Sequence, residues 1–204
     1  FPRIPPEIWV RVVKLYFHFC DPTNKTVDTV TEVSVRFTRK RADPSVWRCW
    51  VPRQEVGAGS VHARFDTGMV DIVTGEVIAA GGVWPPEDEF DAGSSHSHNT
   101  MSAFFSGTDD ANELGCPGIH AVVGNIDIKN KKYVVLVSMV MDGKRYIMKN
   151  DDPTKSLIDT SIRTGITFHP SVLEFVTRYT PKAWSGPQTG GVGSTQQTAN
   201  EEIV

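Results

Sequence analysis

Ile8, Val12, Leu15, Tyr16 and Phe19 return every three or four residues after Pro5-Pro6. That spacing lays one apolar stripe along a helix, and proline suits a first helical position, so a helix is predicted from Pro6 to Cys20. The period then changes. Val33, Val35 and Phe37 alternate strictly, the pattern of a half-buried strand, and a turn at Arg41 to Pro44 leads to a strand-like Val46 to Val51. Glu55 to Val61 reads as a further strand containing several small residues. Asp66-Thr67-Gly68 and Thr74-Gly75 have turn composition, and Gly81-Gly82 with Pro85-Pro86 reads as a loop. Farther on, Ile119 to Ile126 and Tyr133 to Met141 are apolar and β-branched. Asp142-Gly143 is a two-residue hairpin turn into Lys144 to Met148. Residues 171–179 read as a last short helix. From Ala183 onward Gly, Ser, Thr and Gln dominate, which predicts one domain over residues 1–182 and a flexible tail over 183–204. The expected class is α+β, with a mostly antiparallel, curved sheet flanked by helices.

Chemistry enters at His96-Ser97-His98. Residues i and i+2 of a strand point to the same side, so His96 and His98 can offer two imidazoles to one ion while Ser97 faces away. Ser106-Gly107-Thr108-Asp109 has the S/T-x-x-D/E form that opens a helix, with the serine as cap. Asp109, held in a first helical turn, completes an N/N/O set, the pattern of a catalytic zinc ion that keeps a fourth position for water. His18, His62, His120 and His169 do not pair at metal spacing and are read as packing, strand or loop residues.

A chain of 204 residues with 39% hydrophobic content can bury a substantial core as one domain. The formal charge of −3 argues against a nucleic-acid binder. The one basic cluster, Arg36 to Arg41, is expected to be a solvated hairpin end. The acidic run Glu87, Asp88, Glu89 and Asp91 is expected to be a set of solvated loop charges. Cys20, Cys49 and Cys116 are odd in number and lack C-x-x-C spacing, so buried thiols in a reducing, cytoplasmic compartment are expected rather than disulfides or a second zinc site. No apolar run reaches the length of a membrane span and no signal peptide is visible. The chain begins at Phe1 without a methionine, which fits residues missing upstream.

The phrase from Gly93-Ser94-Ser95-His96-Ser97-His98-Asn99 through Ser106-Gly107-Thr108-Asp109-Asp110 resembles the JAMM (JAB1/MPN/Mov34) metalloprotease signature, H-S/T-H-x7-S-x2-D with an upstream glutamate. It is most similar to prokaryotic and phage JAB-domain proteins. The resemblance is dense over residues 90–126 and elsewhere lies only in the order of elements. Asn99 stands where many members have proline, at a position that binds no metal.

The resemblance implies an MPN-like fold, one catalytic zinc ion held by His96, His98 and Asp109, and Ser106 as a donor to the tetrahedral oxyanion. It also implies a glutamate that acts as general acid and base. Glu32, Glu55, Glu76, Glu87 and Glu89 precede the histidines; Glu55 is favoured, because it opens an apparent strand of small residues at a suitable distance from His96. The expected activity is cleavage after the C-terminus of ubiquitin or a ubiquitin-like modifier, within a bacterial conjugation or antiviral system with E1- and E2-like partners. The alternatives are a phage-tail or sulfur-carrier-processing peptidase and a non-catalytic MPN scaffold.

Overall fold

The computed structural model describes residues 3–23, 31–148 and 165–179. The tail expected over 183–204 lies outside them. The described residues are α+β: one long helix, one short helix, a 3-10 turn and an open, mixed, mostly antiparallel sheet.

Helix α1 spans Pro6–Cys20, as its spacing predicts. It buries Trp9, Val12, Leu15, Tyr16 and Phe19 completely and packs on the sheet through β2 and β6. The strands are β1 (Ser34–Lys40), β2 (Trp47–Gly57), β3 (Ser60–Asp71), β4 (Val77–Ile78), β5 (Glu89–Ser97), β6 (Gly118–Asp127), β7 (Lys132–Met141), β8 (Lys144–Met148) and β9 (Val176–Arg178). Their order is β4-β3-β2-β1-β5-β6-β7-β8, with β9 added beside β2. Asp142 and Gly143 both have positive φ, as a tight β7–β8 hairpin requires.

Strand alternation gives the two faces of the sheet different jobs. Val33, Val35, Phe37, Ile119, Ala121, Val123, Val137 and Met139 form the core cluster with α1. The intervening residues Ser94, His96, His120 and Ser138 are buried and polar. Register aligns that second set across the sheet: Ser34 lies opposite His96, Ser94 beside His120, and His120 opposite Ser138.

Strands β5 and β6 run parallel, so the chain between them must cross over rather than turn back. That crossover, residues 98–117, contains α2 (Gly107–Glu113) and starts at the C-terminal end of β5, where open sheets with parallel strands place their ligands.

Four expectations change. Glu55 to Val61 is not one strand: β2 ends at Gly57 and β3 begins at Ser60, because Gly57-Ala58-Gly59 makes a hairpin tip between two β-rich flanks. Residues 171–179 form the 3-10 turn Pro170–Phe175 followed by β9. The basic cluster lies in β1, and the acidic one partly in β5, its antiparallel neighbour. Neither is simply solvated. Arg36 pairs with Asp91, and Lys40 with Asp88 and Glu89. Glu89 is 0% exposed and accepts from Trp50 Nε1 at 3.2 Å and Arg48 Nη1 at 3.3 Å.

Candidate metal centre

His96 is next to last in β5 and His98 lies one residue beyond its end. Both are buried, at 8% and 6% exposure. The backbone N–H of His98 donates to Val123 O at 2.7 Å, and the loop after it is sewn to the end of β6 by Asn125 N to Met101 O and Ile126 N to Asn99 O. Gly124 permits this approach: a Cβ there would sit 2.5 Å from Ala103 N and Met101 O. Within the loop, His98 Nδ1 lies 3.1 Å from Ser102 O. A carbonyl only accepts, so Nδ1 carries the proton and Nε2 presents a lone pair.

Helix α2 brings in the carboxylate. Ser106 caps it: Ser106 Oγ accepts from Asp109 N at 3.2 Å, and Asp109 Oδ2 accepts from Ser106 N at 2.6 Å. This reciprocal box occupies one carboxylate oxygen and turns the other, Oδ1, to within 3.4 Å of His96 Nε2. The Nε2 atoms of the two histidines are 3.1 Å apart. One ligand atom from each of His96, His98 and Asp109 therefore fits within a sphere of contacts no wider than 4.8 Å, a set that could hold a metal ion. Burial pushes the His96 imidazole below its ordinary pKa against the opposing pull of Asp109 and Glu113, which favours the neutral form a ligand must have.

The structure does not bring Glu55 to the cluster. Glu55 is exposed on β2, its Cα opposite His62 and Thr177. No hydrogen bond or ion pair among the described residues joins it to the cluster. Glu32 lies nearer it. The β1–β5 register sets Ser34 opposite His96, and Ser97 N donates to Val33 O, so Glu32 falls opposite His98. It is 6% exposed, and burial, helped by the negative charge of Asp109, raises its carboxyl to about 7. The hairpin tip also reaches this end of the sheet, through Glu32 N to Gly57 O at 3.0 Å and Asn99 Nδ2 to Ala58 O at 3.1 Å. The small residues near Glu55 thus do approach the cluster, but with their backbone.

Behind the cluster lies a polar layer absent from the sequence-based expectations. Glu113 of α2 accepts from Ser94 Oγ at 3.0 Å and from Arg145 Nη2 at 2.9 Å. Ser94 Oγ is also 2.8 Å from His120 Nδ1, and His120 Nε2 is 2.8 Å from Cys116 O. Burial works against the Glu113 charge, but His120, His96 and Arg145 outweigh it and hold its carboxyl down at about 2. Strand parity, which puts Ser94 with His96 and His120 with Ser138, was the available signal for this layer.

No protein-family model and no curated protein matches the chain.

Proposed function

We propose that this protein is a zinc-dependent peptidase of the JAMM type, with an MPN-like fold, and that it cleaves after the C-terminus of a ubiquitin-like modifier. One observation carries the metal part of the reading. Ligands about 2.0–2.1 Å from a tetrahedral zinc ion stand about 3.3 Å from one another; the two separations from His96 are 3.1 and 3.4 Å, and the three ligand atoms all lie within 4.8 Å of one another. The donor set, two imidazoles and a carboxylate, is one that zinc takes in catalytic sites. His96, His98 and Asp109 would hold it.

Zinc supplies, when bound, Lewis acidity toward a carbonyl and a water whose pKa falls toward about 7. The chain's own groups do the rest. Glu32 accepts the proton of the attacking water and returns it to the departing amine, a two-way role that suits a carboxyl at about 7. Ser106 Oγ already accepts from Asp109 N, so its hydroxyl proton is left to donate to the developing oxyanion. Contacts of that kind contribute about 3 kcal/mol. Ser102 O fixes the tautomer of His98.

The substrate class rests on the motif resemblance, as do the E1- and E2-like partners. A cytoplasmic location is supported by three free cysteines, two of them buried. Among the described residues no helix is long and apolar enough to cross a membrane.

The test is incubation of the purified, zinc-loaded protein with ubiquitin-like fusions encoded in the same genome. Zinc-dependent cleavage at the modifier's C-terminus is expected. Protein that binds no stoichiometric zinc would sink the reading; intact fusions alongside cleavage of a cell-wall or phage-tail peptide would move it to a different amidase.

A further inference from the structure

Helix α2 carries both the capping serine and the carboxylate ligand, yet little apolar packing holds it. It has seven residues, and the only one buried is Glu113, a charged one. A helix so short is not stable by itself. Its placement must come from polar bonds to its surroundings, and one side chain supplies several of them.

Arg145, in β8, has 9% side-chain exposure. Its Nε donates to Asp110 Oδ1 at 2.8 Å, its Nη2 to Glu113 Oε2 at 2.9 Å and its Nη1 to Ser138 Oγ at 2.8 Å. The guanidinium also lies over the Phe105 ring, 3.9 Å from the centroid. Phe105 directly precedes the cap Ser106, while Asp110 and Glu113 are one helical turn apart. One planar group thus grips the entry of α2 and two points along it, and ties all three to the β7–β8 hairpin through Ser138. Asp109 lies between the gripped points. Its Oδ1 is directed at His96 by the capping box, but the box fixes the carboxylate only relative to the helix. Among the described residues, the rotation of the helix relative to β5 is set by Arg145 and by the contacts of Glu113 with Ser94 and His120.

We infer that Arg145 is a positioning residue for the metal centre: by clamping α2 to the sheet it sets the Asp109 carboxylate at ligand distance from His96. This rests on the zinc reading proposed above. The guanidinium's fork explains why arginine stands here, since the ammonium of lysine is a point charge that cannot meet Asp110, Glu113 and Ser138 in fixed directions at once.

The experiment measures zinc affinity by competition with a chromogenic chelator in wild-type, Arg145→Lys, Arg145→Met, Asp110→Ala and Arg145→Met/Asp110→Ala proteins, each checked for cooperative unfolding. Weakening of about 10–100-fold is expected for Arg145→Met, as for other groups that orient metal ligands, with a smaller loss for Arg145→Lys. The double variant should bind no more weakly than Arg145→Met, because both changes break the same clamp. A purely structural arginine would lower the melting temperature and leave the zinc affinity of the folded protein where it was. That result, in whichever Arg145 variant folds, overturns the inference while wild-type zinc binding keeps the metal reading intact. Losses that simply add in the double variant overturn it too. Wild-type protein that binds no zinc removes the metal reading and this inference with it.

Discussion

The Nε2 atoms of His96 and His98 face each other 3.1 Å apart at the end of β5. Since Nδ1 of His98 is committed to Ser102 O, its Nε2 presents a lone pair toward the other ring. A single shared proton would satisfy the pair, but it would leave Asp109 Oδ1, 3.4 Å from His96, with little to bind. A divalent cation satisfies all three atoms.

Asp109 completes the capping box of α2 and is a ligand in the proposed zinc site, and two substitutions separate these roles. Asp109→Asn keeps an oxygen that can accept from Ser106 N and loses the charged ligand; Asp109→Ala loses both. Zinc binding should fail in each. Without metal, the alanine variant should be less stable by about 1 kcal/mol, the usual worth of an N-terminal cap, while the asparagine variant should melt no lower than wild type. Denaturant titrations with chelator, paired with zinc analysis, check this. Equal stability of the two variants would show that the box contributes nothing.

Glu32→Gln should retain zinc and lose turnover by about 10²–10⁴-fold, the range for removing a general acid and base. Glu55→Gln should leave turnover unchanged, since its exposed side chain has no described link to the cluster. Single-turnover assays on a cleaved fusion decide between them. A reversed ranking would restore Glu55.

The different placements of these two glutamates mark how far the fold and the candidate site were legible in the sequence. Helix α1 was legible to its ends because a three-to-four spacing and Pro6 are local signals, and so was the Ser106–Asp109 box, which needs four residues. Glu32 was not. Its relevance comes from the β1–β5 register that sets it opposite His98, and nothing near Glu32 in the chain declares that partner. The charge runs show the same limit: Arg41, Glu87 and Asp88 are exposed, as the sequence predicts, but Arg36 pairs with Asp91 and Lys40 with Asp88 and Glu89 only once β1 and β5 pair. Arg145 is a further case of the same kind, bonded to residues 32 and 35 positions away.

Stability of the metal-free protein should depend on pH through Glu32. Its folded-state carboxyl is raised from 4.5 to about 7, so the folded protein holds a proton that the unfolded chain has lost over that interval. The sign follows: this group's contribution is fully present below about pH 4.5 and is lost as pH rises through 7. His96, held low by burial, acts in the opposite direction below its ordinary value, so the wild-type curve alone mixes the two. The difference between wild type and Glu32→Gln isolates Glu32. It should shift against the wild type by roughly 3 kcal/mol or less between pH 4.5 and 7.5 in chelator. A difference flat with pH would mean that Glu32 titrates as an ordinary carboxyl.

Glu89 offers a control at the far end of β5. It is fully buried and meets Thr38, Trp50, Arg48 and Lys40. Glu89→Ala removes a buried acceptor shared by Arg48, Lys40 and Trp50, which keep Asp71 and Glu76, Asp88, and Thr38, respectively, as partners, so the loss should fall below the ~3–5 kcal/mol of breaking an isolated buried pair. Glu89→Gln should cost less, because the amide oxygen still accepts from Trp50. Neither change touches the residues around His96, so folded protein of either variant should bind zinc with wild-type affinity. Thermal denaturation with a zinc titration measures both quantities. A stable Glu89 variant with weakened zinc binding would show that the ion network at the start of β5 reaches the metal centre at its end, and that the two are one cooperative unit.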